Sequence, residues 1–159
     1  MIRRQRVYAY IVNKGRLLVF KHTDFPESGI QVPAGSVQKE EEPASAVMRE
    51  AEEETGLARL ELIGCLGTLE RDMTEFGTAE IQEAWFYHIS CPGNPLKTWR
   101  HNETSGGTIE PIRFDLFWVQ LPDGVPELFA IDGIMLNELI RTAGMESREN
   151  TANRMGFDT

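Results

Sequence analysis

Two cysteines, three histidines and no long apolar run set the first limits on this 159-residue chain. Cys65 and Cys91 are too few for a disulfide framework or a cysteine-rich zinc site, and each reads as a small, partly buried apolar residue. His22, His88 and His101 show no metal-ligand spacing. No apolar stretch approaches the ~20 residues that span a bilayer. The N-terminal MIRRQRVYAYIV carries basic residues but neither an apolar signal core nor a cleavage site, so a cytoplasmic protein without membrane association is expected. Positive charge is also short: 16 Lys and Arg against 25 Asp and Glu leave a net charge of −9. That balance gives no broad attraction to nucleic acid, and an anionic ligand would need local help from a few basic side chains or a metal ion. No repeat or linker divides the chain. One domain is expected over residues 1–144, with the polar, aperiodic stretch 145–159 as a flexible tail.

What is present is an alternation of strand-like and helix-like stretches. RVYAYIVN (6–13) and RLLVFK (16–21) are rich in β-branched and aromatic residues and flank an Asn13-Lys14-Gly15 turn signal, which predicts a hairpin. A short strand is expected at 30–32, leading into a Pro33-Ala34-Gly35 turn. Strands follow at about 59–73 and 79–90, paired across a turn at 74–78. The segment 91–111, rich in Pro and Gly, reads as a long functional loop. A strand at 112–121 precedes a helix from Asp132, its N-cap, to about Ala143, with Ile134, Leu136, Leu139 and Ile140 facing inward. Strands, helix, strands, helix make an α+β order.

The stretch that organises the rest is GSVQKEEEPASAVMREAEEETGL, residues 35–57. Pro43 suits a first helical position, where its missing N–H loses nothing, and Gly56 suits a left-handed cap just past the end. At about 100° per residue, Glu50, Glu53 and Glu54 share one narrow face, while Ala44, Val47, Met48 and Ala51 form an apolar stripe roughly a quarter turn away. Three carboxylates so close repel, more strongly if partly buried, and require a cation. Arg49 is one candidate. A divalent ion is another, and oxygen ligands alone suit Mg²⁺ or Mn²⁺. The bland alternative is a solvated acidic helix.

The surrounding residues decide between these. Gly35, Glu41, Arg49, Glu50, Glu53, Glu54 and Gly56 stand at all seven fixed positions of the Nudix hydrolase signature, which the stretch closely resembles. Chance would produce that on the order of once in 10⁹ starting positions at average residue usage. Ala51 is smaller than the usual aliphatic. Val32-Pro33-Ala34 and Phe117–Leu121 resemble the same family's context. The resemblance implies an α/β/α sandwich with a mixed β-sheet and a loop–helix–loop at the signature. It implies hydrolysis of a nucleoside diphosphate linked to another moiety, with Glu50, Glu53, Glu54 and the Gly35 carbonyl holding one or more Mg²⁺ or Mn²⁺ ions. Arg49 would orient a metal-binding glutamate, Glu41 would do outer structural work, and the general base would be Glu53 or a distant glutamate. Of the two distant candidates, Glu103 and Glu110, Glu103 is preferred because Trp99, His101 and Glu103 share a polar segment that could fold over the site. Many relatives are dimers, so a homodimer is an expectation carried by the resemblance alone.

For substrate contacts, Lys21 and Arg100 are the better basic candidates among Arg3, Arg4, Lys21, Lys97 and Arg100. Phe25, Tyr8, Phe76 and Trp99 could stack a nucleobase. The rival class is a nucleotide-sensing Nudix-like module without catalysis; such modules commonly lose a signature glutamate, and this chain retains all of them.

Overall fold

The computed structural model describes residues 2–103 and 110–144; the expected tail 145–159 and positions 104–109 of the 91–111 segment lie outside the described residues. Seven strands and two helices follow in order: β1 (Ile2–Asn13), β2 (Arg16–His22), β3 (Ala34–Ser36), α1 (Pro43–Thr55), β4 (Glu61–Asp72), β5 (Glu80–Ser90), β6 (Thr98–Glu103), β7 (Ile112–Gln120) and α2 (Leu136–Thr142). The strands form one mixed sheet in the order β4-β5-β1-β2-β7-β6, with β3 added on β1. β1 and β5 run parallel over a long register from Ile2↔Glu80 to Val12↔Ser90; the other pairings are antiparallel.

The predicted hairpin forms, and Lys14 and Gly15 both take positive φ at its turn, which suits the right-handed twist of the strands. Beyond the turn β1 and β2 part. They pair only at Val12↔Leu17 and Asn13↔Arg16; β3 takes over the flank of β1 at Arg6–Tyr8, and β2 runs on along β7. Segment 30–33 fills the gap. Phe20 and Gln31 exchange two backbone hydrogen bonds of 2.9 Å, and Ala9 N–H donates to Pro33 at 2.8 Å. This split in the sheet is where the signature residues gather.

Side chains alternate across a strand, so each strand feeds both faces. On one face Ala46, Val47 and Ala51 of α1 cover Val7, Ala9, Ile11, Leu18, Phe20, Phe114 and Leu116. Ala51 has no exposed surface, so its small size lets the helix sit close. On the other face Tyr8, Tyr10, Leu17, Val19 and Phe86 pack under Leu139 of α2.

The structure departs from the sequence expectations in several places. The 30–32 strand is reduced to isolated bridges, and the ladder lies at Ala34–Ser36, where a turn was expected. The 91–111 segment is not wholly loop: it contains β6. The second helix starts at Leu136, with Met135 as its N-cap residue. Asp132 instead turns inward, where its carboxylate accepts the Val32 N–H at 2.9 Å, and its own carbonyl accepts the Tyr10 hydroxyl at 2.6 Å. A buried backbone donor needs a partner, and that demand outweighs helix capping. Ile134, expected inward, is 52% exposed. Residues 73–76 form a 3-10 turn closed by Gly77 in the left-handed region. No helix among the described residues is long and apolar enough to cross a membrane.

Candidate active site

Helix α1 has the bounds its sequence signals. Pro43 occupies its start, and Gly56 ends it at φ 74° with its N–H on the Glu52 carbonyl at 2.9 Å. Its acidic face meets β3, and the contact is tight. A Cβ on Gly35 would collide with the Glu50 carboxyl group. Glycine is required there by close approach, since the backbone of Gly35 is ordinary strand.

Arg49 ties this face to the loop before the helix. Its Nε and Nη2 donate to the two oxygens of Glu41 at 2.8 and 2.9 Å, and Nη2 also reaches the Ser36 carbonyl at 3.0 Å. Nη1 donates to Glu50 at 2.8 Å and approaches Glu53 at 3.4 Å. Glu41 in turn accepts the Gln38 N–H at 2.9 Å. The paired guanidinium holds the Glu41 carboxyl down to about 2, and the same pair raises Arg49. Glu50 behaves oppositely: its burial outweighs the single bond from Arg49, and its pKa lies above the usual carboxylate range.

Glu54 is the most enclosed of the three. It accepts the Ala34 N–H at 3.2 Å. Burial first, then the charges of Glu50 and Glu103, push its pKa well up; the Ala34 N–H and Arg6 pull the other way. Two buried-side carboxylates that resist ionisation beside one another form an environment that calls for added positive charge.

β6 supplies the fourth carboxylate. Its alternate residues Trp99, His101 and Glu103 turn toward α1. Trp99 Nε1 donates to the Thr55 carbonyl at 2.8 Å, and His101 Nε2 lies 2.8 Å from the Glu53 carbonyl. One oxygen each from Glu50, Glu53 and Glu103 lie within 4.8 Å of one another. Oxygen donors alone at this spacing fit a hard divalent cation. Glu54 and Glu103 also line a recess of about 200 Å³ in the split of the sheet, together with Arg6, Phe20, Gln31 and Phe114.

The remaining candidates are placed differently. Lys21 and Arg100 face Asp115, with Arg100 Nε 2.8 Å from it. Strand alternation puts them on the side opposite Phe20 and Glu103, so the structure does not bring them to the carboxylates. Phe25 is 62% exposed beside the 3-10 turn Pro26–Ser28. Tyr8 is core, stacked on Phe86 at 4.6 Å between centroids. Phe76 is exposed beneath Arg71, and Trp99 is committed to Thr55. Arg4 pairs with Glu80 and Arg3 with Glu70. Glu110 is exposed and outside the carboxylate group.

Two residues of the site escaped the sequence reading. Arg6 lines the recess, donates to Ser36 Oγ at 3.4 Å and offsets both Glu54 and Asp132. Asp132 fixes the 30–33 segment that forms one wall. Nothing near either residue in sequence signals this, because both roles depend on the register of β3 on β1 and on where the chain returns 100 residues later.

The NUDIX domain family model matches residues 2–132. No curated protein matches. Among solved structures, a MutT NUDIX hydrolase from Burkholderia pseudomallei superposes with a TM-score of 0.56 at 25% identity, over 87% of this chain and 99% of that one. The MutT protein from Methanosarcina mazei gives 0.59 at 20% identity, over 91% and 97%. An ADP-ribose pyrophosphatase from Streptococcus suis gives 0.59 at 16%, over 91% and 93%. At 20% and 16% identity the last two establish a shared fold only.

Proposed function

The chain belongs to the NUDIX family, and on that premise we propose that it is a divalent-metal-dependent hydrolase of a pyrophosphate bond in a nucleoside diphosphate linked to another moiety. The observation that carries this reading is the convergence of Glu50, Glu53 and Glu103 oxygens within 4.8 Å, beside the enclosed Glu54. The family match and the structural neighbour named as a NUDIX hydrolase support it.

Glu50, Glu53, Glu54 and the Gly35 carbonyl, with Glu103, would hold Mg²⁺ or Mn²⁺. When bound, such an ion neutralises the acidic face toward phosphate oxygens, polarises phosphorus and acidifies water. The chain's own residues do the rest. Arg49, braced by Glu41, keeps Glu50 turned toward β3. Arg6 offers the recess a positive charge for a phosphate oxygen of the substrate. Glu103 takes the proton of the attacking water, from the end of a strand that approaches the cluster from outside the helix. Catalysis here is positioning and charge, with no covalent intermediate on the protein.

A panel of nucleoside triphosphates, dinucleoside polyphosphates and nucleotide sugars, assayed for phosphate or pyrophosphate release with and without Mg²⁺, tests the reading. Metal-dependent release from at least one of them is expected. Tight nucleotide binding with no turnover across the panel would replace it with the sensor module.

A further inference from the structure

An α-helix leaves its last four carbonyls without helical partners. In α1 the Glu52 carbonyl is taken by Gly56 N–H. Two of the others are taken by side chains of a single distant strand: Thr55 by the Trp99 indole, Glu53 by the His101 ring, each at 2.8 Å. Among the described residues β6 lies at the edge of the sheet, held by β7 on one side. The ladder with β7 fixes the register of β6, and Trp99 packs on the core under α1. The two side-chain bonds add a direct tie between strand and helix end, and two residues further on the same face of β6 carries Glu103 to Glu50 and Glu53.

The fit between strand and helix is close. A Cβ on Gly56 would fall 2.8 Å from His101 Nδ1. The signature glycine thus does two things: it takes the left-handed cap, and it leaves room for the imidazole that grips the Glu53 carbonyl. Trp99 is packed into the core on the α1 side, with its ring 6.2 Å from that of Trp118. The strand therefore has a fixed root at Trp99, a bond at His101 and its working carboxylate at Glu103.

We propose that Trp99 and His101 are positioning residues for the carboxylate cluster. By holding the C-terminal carbonyls of α1 they set the separation of Glu103 from Glu50 and Glu53, and so the affinity of the site for its divalent ion. This rests on the reading of the cluster as a metal site. It assigns to the Trp99 and His101 side chains of β6 the task of holding Glu103 in the ligand set.

The test is a Mn²⁺ titration of the whole protein followed by electron paramagnetic resonance, on wild type, Glu50→Gln, His101→Leu, His101→Gln and Trp99→Phe. Thermal unfolding and steady-state kinetics accompany it. A glutamine amide can present an N–H near the place of Nε2; leucine cannot, and phenylalanine keeps an aromatic ring at position 99, smaller than the indole and without its donor. His101→Leu should weaken Mn²⁺ binding about tenfold, the scale seen when an outer partner of a metal ligand is removed. It should lower kcat with little change in KM, and His101→Gln should recover most of both. Trp99→Phe should act in the same direction, and carries the test if His101→Leu fails to fold. Wild-type Mn²⁺ affinity in folded His101→Leu, or a Gln variant as weak as the Leu variant, overturns the positioning role. If wild type binds no Mn²⁺, the reading of the site itself falls. If wild type binds and Glu50→Gln does not, while His101→Leu binds normally, only the positioning role falls.

Discussion

Arg49 holds Glu41 through two nitrogens at 2.8 and 2.9 Å, while only one nitrogen reaches Glu50. The arginine is thus committed first to the loop before the helix, and Glu50 keeps a pKa above the usual range despite its cationic neighbour. That division of one guanidinium is why Glu41 and Glu50, which share it, depart in opposite directions from the ordinary carboxylate pKa.

Glu41→Gln should destabilise the protein by about 1–2 kcal/mol at pH 7, the scale of a partly exposed charge-assisted pair. The folded carboxyl sits at about 2, below its ordinary 4.5, so its contribution is present above about pH 4.5 and is lost as pH falls through 2. Urea unfolding of wild type and variant should therefore show a gap at pH 7 that closes on acidification. A gap independent of pH would show that the pair is not its source. Turnover should fall less than in the next variant.

Glu54→Gln should remove most turnover, by roughly a hundredfold or more, since a group that holds the ion should matter at least as much as its outer partners. Without metal the same variant should be more stable than wild type at pH 7. A buried carboxylate is costly to ionise, and the glutamine oxygen can still accept the Ala34 N–H. Thermal unfolding in chelator and kinetics at saturating Mg²⁺ check the two halves. Comparable rates for variant and wild type would remove Glu54 from the mechanism.

Asp132→Asn probes a buried carboxyl whose pKa is pushed up to about 6 from 3.8, chiefly by burial. The folded state then binds the proton more tightly than the unfolded one. The stability this supplies is present below about pH 4 and is lost as pH rises to about 6, on the order of 2–3 kcal/mol. Subtracting the variant's unfolding free energy from that of wild type should give a difference that declines over that window and is flat above it. A flat difference throughout would mean the carboxyl titrates normally.

Gly35→Ala and Gly56→Ala should separate two uses of glycine. At Gly35 the backbone accepts any residue, but a Cβ displaces Glu50; activity should drop at least tenfold, with a smaller change in stability. At Gly56 the φ of 74° adds roughly 1–2 kcal/mol of left-handed strain, and the Cβ meets His101. Stability and activity should fall together. Kinetics paired with denaturant unfolding distinguishes the cases, and equal profiles for the two variants would count against this account.

The sequence by itself determined the parts whose signals are local. Pro43 and Gly56 bound α1 because a missing N–H and a missing Cβ are tolerated at those two places. The spacing of Glu50, Glu53 and Glu54 follows from helical pitch, and the β1–β2 hairpin follows from its turn residues. Tertiary structure alone decided β6, whose alternation is real but carries Trp99, His101 and Glu103 inward, where an apolar pattern would be sought. It alone placed Arg6 in the recess, sent Lys21 and Arg100 to the opposite face, and drew Asp132 inside to a Val32 N–H a hundred residues away. Those outcomes depend on register and on the pairing of buried polar groups across the chain, and neither is written in any short stretch of residues.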